Sequence, residues 1–364
     1  MRRSTRIARA RHHTSRILRP ALALLVVIAV VACAGAVTPT DPPTAAPSVA
    51  APSAAPSAAA PSPTPAAVSG TIRLYTSVQQ PTVDAITTAL AEVHPGIVLE
   101  VFRAPTGEVA ARIAAEEREG RIRADVLWLT DPLSIEGYAS RGLLREWQPA
   151  GAAALDPSYT AASYWGTRVL NMVIVRGADI EPGPLSWTDL ADPAYRDAVA
   201  IPDPAFAGSA FGALGYFSQD PAFGMDFYRS LKANGAVQVQ APDEVTTGVA
   251  EGRFKAGITL DFSARAAVDK GSPVELVWPD EGSVALFGPI GVVAATEAVD
   301  VSEAFVEFLL GEAGQAAIAG TGWEPVLPGA GGPVPGGPQL RPDWPALFGQ
   351  QQALLDEYQS IFGD

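Results

Sequence analysis

Ala124-Asp125-Val126-Leu127-Trp128-Leu129 is a nearly continuous apolar run, the pattern of a strand covered on both faces. Two segments before it, Thr71–Thr76 and Ile97–Phe102, also read as strands. Thr82–Val93, with Val83, Ile86, Leu90 and Val93 at helical spacing, separates the first pair and ends at Pro95-Gly96. Glu108–Arg121 is a charged helix with Val109, Ile113 and Ala114 on one face, and Asp131–Leu144 follows as helix and turn. Strand, helix, strand, helix, buried strand leaves few architectures open, and a parallel α/β sheet is the expected one.

The middle of the chain reads as a second unit. Val169–Val175, Val199–Pro202, Ala236–Gln240, Ala256–Leu260 and Val274–Trp278 are strand-like, with short helices at Trp187–Leu190, from Ala207, at Asp226–Leu231 and at Val245–Glu251. Leu286–Ala295 is apolar and is expected to return to the first unit. Ser302–Leu310 and Gly314–Ala319 read as helices, Pro325–Pro345 is rich in proline and glycine, and Leu347–Phe362 closes with helical spacing. The expected division is one lobe at 70–165, joined again by about 285–325, and a second at 166–284, with the helix at 346–362 packing on the second.

The N-terminal part is of another kind. Arg2, Arg3, Arg6, Arg9, Arg11, Arg16 and Arg19 precede an apolar run, Ala21–Ala32, that is too short to span a bilayer. Such a leader reads as an export signal over 1–32. Cys33 is the only cysteine, and its place after a small residue resembles a bacterial lipobox. That resemblance implies an acylated Cys33 and an extracytoplasmic, lipid-anchored body. Residues 33–69 are almost wholly Ala, Pro, Ser and Thr, which bury too little to offset the entropy of ordering and read as a disordered tether.

The formal net charge is −14, and it becomes more negative once the arginine-rich leader is set aside. An acidic body argues against nucleic acid and anionic lipid as partners, leaving the membrane to the anchor alone. Of three histidines, only His94 lies outside the leader, in a turn signal where a helix ends. With no zinc pattern, phosphate loop, G-x-S-x-G or G-x-G-x-x-G, enzyme chemistry, a cofactor and a metal site are not expected.

Several phrases then occur in a telling order. They are Leu74-Tyr75-Thr76-Ser77-Val78, Ala124-Asp125-Val126-Leu127-Trp128, Leu185-Ser186-Trp187-Thr188-Asp189-Leu190, Ala207-Gly208-Ser209-Ala210-Phe211 and Val249-Ala250-Glu251-Gly252. In this order the chain resembles the extracellular solute-binding proteins of bacterial ABC importers, in the branch with ferric-iron, phosphonate, thiamine and polyamine binders. The resemblance runs from about Thr71 to Pro328. It implies two α/β lobes joined by crossing hinge strands and closing on a small solute, with an ABC permease as partner and a monomeric, non-catalytic receptor.

Ligands in open α/β sheets bind beyond the carboxyl ends of strands. By that rule the candidates are Ser77, Thr106, Thr130 and Asp131 from the first lobe, and Gly208, Ser209, Ala210, Asp261 and Phe262 from the second. Tyr164, just before the first crossing strand, is a candidate wall. Gly208-Ser209-Ala210 at a helix start offers free N–H groups and a hydroxyl to an anion, and iron-binding relatives hold a synergistic anion at the corresponding turn. Those relatives carry a tyrosine pair where this chain has Phe262 and Ser263. Direct iron coordination is therefore not expected, and Asp261 offers a carboxylate for a ligand ammonium. The expected ligand is an anion or zwitterion such as a phosphonate, with a ferric chelate, a polyamine or thiamine as alternatives. A secreted α/β hydrolase and an adhesive surface lipoprotein are the readings from other classes.

Overall fold

The computed structural model describes residues 68–363. The expected signal peptide, the acylated Cys33 and all but the last two residues of the expected tether lie outside the described residues. Eleven strands form one mixed sheet. They are β1 (Gly70–Thr76), β2 (Ile97–Arg103), β3 (Val126–Trp128), β4 (Trp165–Gly177), β5 (Val199–Pro202) and β6 (Val237–Val239). The remainder are β7 (Ala256–Leu260), β8 (Val274–Val277), β9 (Ser283–Val292), β10 (Glu324–Pro325) and β11 (Gln339–Leu340). The helices are α1 (Gln80–Val93), α2 (Thr106–Arg118), α3 (Pro132–Ala139), α4 (Gly208–Gln219), α5 (Gly224–Ala233) and α6 (Pro242–Ala250). They continue as α7 (Asp261–Asp269), α8 (Val299–Leu310), α9 (Glu312–Gly320), α10 (Trp344–Leu347) and α11 (Gln351–Phe362).

The strand order is β2-β1-β3-β9-β4-β7-β5-β6, with β8 and β10 on β4 and β11 on β9. At one end, β1 pairs parallel with β2 and β3; at the other, β5 pairs parallel with β6 and β7. Between these groups run β9 and β4, antiparallel to each other and to the strands they flank. Both are long and buried along almost their whole length, which explains their near-absence of polar alternation. The sheet is thus mixed rather than purely parallel, as its two long strands cross from one group to the other. At Thr167 the register of β4 on β9 shifts between Gly166 and Arg168, a bulge next to a buried arginine.

Local chemistry accounts for most element limits. Pro81 lies in the first turn of α1, where its missing N–H costs nothing, and Val83, Ile86 and Leu90 form the buried stripe. His94 ends that helix, its N–H bonding to the Leu90 carbonyl. Asp261-Phe262-Ser263 follows β7 directly and begins the helix α7. One hydrophobic cluster runs through the centre of the molecule, and a smaller one, including Val175, Val245 and Val274, lies beneath α6. The proline- and glycine-rich stretch carries β11 back to β9, and α11 then packs on α3, α4 and α5. No helix among the described residues is long and apolar enough to cross a membrane.

Candidate functional site

The carboxyl ends of β1, β2 and β3 face those of β5, β6 and β7 across a cleft. Its narrow part, about 70 Å³, is lined by Ser77, Thr106 and Thr130 from the first group and by Gly208, Ser209 and Gln240 from the second. Three hydroxyls form a chain there: Ser77 Oγ lies 3.4 Å from Thr130 Oγ1, which is 3.0 Å from Thr106 Oγ1. The wider part, about 760 Å³, lies between the start of α1 and the helices α6 and α7, with Gln79, Arg103, Asp243, Phe262 and Lys270 among its walls. Gln79, Arg103 and Asp243 line both parts, which makes them one continuous cleft.

The two groups touch at the narrow part. Gly107 N–H donates to the Phe206 carbonyl at 3.2 Å, linking the β2–α2 and β5–α4 turns. A Cβ on Gly208 would sit 2.2 Å from Asp131 Oδ2, 2.5 Å from Thr130 Oγ1 and 2.7 Å from Thr106 Oγ1. Only glycine allows the first turn of α4 to approach these oxygens so closely. Ser209 does not cap α4; the cap is Ala207, whose side chain accepts nothing. The N–H groups of Gly208, Ser209 and Ala210 have no hydrogen-bond acceptor among the described residues, as the start of a helix dictates.

The remaining candidates are placed differently. Asp131 is fully buried and caps α3, taking the Ser134 N–H on Oδ1 and the Ser134 hydroxyl on Oδ2, each at 2.7 Å. Its burial pushes the carboxyl up to about 7. Tyr164 is buried, and its hydroxyl donates to Glu136 at 2.9 Å; it does not line either part of the cleft. Ala210 is buried within α4. Asp261 is turned inward and pairs with Arg265 at 2.8 Å, while burial raises its carboxyl above the usual range. Phe262 stands in the wall of the wider part and stacks on Trp323, with centroids 4.1 Å apart and planes 2° from parallel.

Sequence reasoning passed over Arg103, Gln240 and Asp243, and reached Gln79 only as part of the strand end Ser77-Val78-Gln79. Arg103 donates to the Val78 carbonyl at 2.8 Å and forms no ion pair among the described residues, so its charge is available at the cleft. Asp243, in the first turn of α6, accepts a hydrogen bond from Ser263. The strand-end rule, applied to the segments after Phe102 and Gln238, points to these three as well. Among the described residues, no group of three or more His, Cys, Asp or Glu is arranged to hold a metal. The narrow part offers hydroxyls and helix N–H groups, Arg103 and Asp243 line both parts, and the wider part adds Glu251, Lys270 and an aromatic wall. The cleft is equipped to bind rather than to react.

A family model described as bacterial extracellular solute-binding protein matches residues 72–324. The chain belongs to that family. This solute-binding protein is a binding protein and not an enzyme, related to the binding proteins of ABC transporters. A protein of Haemophilus influenzae is 27% identical over 265 residues, 68% of this chain and 74% of its own length. The spermidine/putrescine-binding periplasmic protein of Salmonella typhimurium is 28% identical over 163 residues, 43% of this chain and 46% of that one. Among solved structures, the substrate binding protein of an ABC transporter from Agrobacterium tumefaciens matches with a TM-score of 0.73 at 17% identity, covering 82% of this chain and 95% of that one. That likeness carries the fold: an α/β periplasmic-binding-protein architecture with a mixed sheet.

Proposed function

We propose that this solute-binding protein captures a small anion or zwitterion, such as a phosphonate, outside the cell membrane and delivers it to an ABC permease. In this reading the body acts as a monomer, held to the membrane by an acylated Cys33 and the tether that follows. The observation that carries the ligand assignment is the convergence on one narrow space of Ser77, Thr106, Thr130 and the open first turn of α4, with Arg103 beside them. Free helix N–H groups and hydroxyls are suited to a bare oxyanion. Asp243 and the Phe262 wall suit a cationic or apolar remainder of the same molecule. Residues 70–165 with 285–325, and 166–284, then act as the two lobes that close on it.

A polyamine is the second reading, favoured by Asp243 and Glu251 on the wall of the wider part. Direct iron binding has no such support: Phe262 has no oxygen, and Ser263 donates its hydroxyl to Asp243.

A thermal-shift screen of residues 68–364 against 2-aminoethylphosphonate, phosphate, spermidine, thiamine and ferric citrate tests the proposal. A ligand at a hundredfold excess over Kd stabilises the native state by ~2.7 kcal/mol. The phosphonate or phosphate is expected to give the largest shift. Ser209→Ala is expected to weaken it roughly tenfold to a hundredfold, the usual effect of losing a hydrogen bond to a charged group. Ser209→Asp is expected to abolish it. A shift with spermidine alone, unaffected by Ser209→Asp, defeats the anion assignment.

A further inference from the structure

Arg168 lies on β4 with no part of its surface exposed, and its charge has no counter-ion among the described residues. Nη1 donates to Thr167 Oγ1 at a long 3.4 Å, and Nε and Nη2 have no partner among the described residues. The guanidinium is held by two tryptophan rings instead, with Cζ 5.3 Å from the centroid of Trp128 and 5.2 Å from that of Trp323. Two buried carboxyl groups and the half-buried one of Glu324 are engaged elsewhere. Asp261 pairs with Arg265, Asp131 is bonded to Ser134, and Glu324 accepts from Asn171 and Gln339. Burial pushes the guanidinium down to about 9, which leaves it charged at neutral pH.

Each tryptophan leads to the cleft. The Trp128 carbonyl accepts from Ser77 N–H at 3.2 Å and Thr76 Oγ1 at 2.7 Å, and Thr130 follows two residues on. Trp323 stacks on Phe262, which is itself a cleft wall. Arg168 thus stands behind the Phe262 wall with the Trp323 ring between them, and its other ring neighbour, Trp128, is joined to Ser77 through the backbone. A charge taken out of water without a partner is disfavoured, and ring faces offset only part of that. A charge of opposite sign in the cleft offsets more. Inside a protein such a field reaches well beyond contact distance and is screened little by salt.

We propose that Arg168 sets the charge of the ligand: its uncompensated guanidinium, one side chain behind the cleft wall, makes the cleft select a small oxyanion. The inference rests on the anion reading above and names a specificity-determining residue that need not touch the ligand. The test is calorimetry with 2-aminoethylphosphonate and spermidine on the wild type, Arg168→Met and Arg168→Lys, each also melted without ligand. Arg168→Met is expected to bind the phosphonate about tenfold more weakly and Arg168→Lys within about threefold of the wild type. Ligand-free Arg168→Met is expected to melt no lower than the wild type, because a lone buried charge is gone. Equal phosphonate affinity in Arg168→Met overturns the inference and leaves the anion reading standing. Equal weakening by Met and Lys assigns the effect to shape and also overturns it. A wild type that takes spermidine and not the phosphonate defeats the anion reading. In that case tighter spermidine binding by Arg168→Met still supports the role of the charge, and unchanged binding overturns it. Should Arg168→Met not fold, Arg168→Gln removes the charge while keeping a donor.

Discussion

Asp131 stands at the end of the third strand, yet its chemistry is that of a buried cap. Both oxygens bond to Ser134, and desolvation raises the carboxyl from 3.8 to about 7. The folded protein therefore holds this proton more tightly than the unfolded chain does. Stability from this group is fully present below pH 3.8 and is lost as the pH rises towards 7. Asp131→Asn is neutral at every pH and still offers Oδ1 to the Ser134 N–H. Thermal melts are expected to show the variant gaining on the wild type between pH 5 and pH 8, with no further gain above that. A variant equally destabilised at both values shows that the second hydrogen bond outweighs the charge. At this scale the sequence was readable where small polar residues follow a strand: Ser77, Thr106, Thr130, Gly208 and Ser209 all meet in the cleft. Arg168 was not readable. A charge just before the apolar run Val169–Val175 looks like its wet end, whereas it lies inside β4, which begins at Trp165, and is fully buried.

Helix α4 is an element whose first residue matters more to its neighbours than to the helix. Alanine is a better helix former than glycine by about 1 kcal/mol, so Gly208→Ala favours α4 taken alone. In place, the added carbon meets three oxygens of the facing turns at 2.2–2.7 Å. The expected outcome is an unligated melting temperature near that of the wild type with ligand affinity reduced about tenfold or more, read by calorimetry. Unchanged affinity would show that the facing threonines rotate aside at little cost. Most elements were legible because their apolar spacing is regular, as in α1, or continuous, as in β9. Helix α7 was not. Only Asp261, Ser263 and Ala264 are buried in it, so no apolar stripe marks it.

Across the whole molecule, the C-terminal segment binds together parts that are distant in the chain. Leu347 fills the space left open by Gly215 beside Leu133, Arg229 pairs with Glu357, and Gln238 donates to Tyr358. Leu347, Leu354, Tyr358 and Phe362 are all buried. At roughly 1.5–3 kcal/mol for each large apolar side chain, their loss approaches the ~5–15 kcal/mol by which a native protein is usually stable. Deleting residues 343–364 is expected to abolish cooperative unfolding and expose dye-binding apolar surface. A truncated chain with a sharp transition near the wild-type temperature would show the segment to be an accessory. The helical spacing of this segment is visible in the sequence, and the expectation sets it on the 166–284 part, where α4 and α5 lie; its further packing on α3 is not visible, because period alone does not name a partner.

The unbroken sheet has a mechanical consequence. Its two strand groups share one hydrogen-bonded ladder through β4 and β9, so they cannot swing apart like plates on a pin. Any widening of the cleft has to bend that pair, whose ladder is already interrupted by the bulge at Thr167. The two groups are thus coupled through a shared pair of strands and not through a linker.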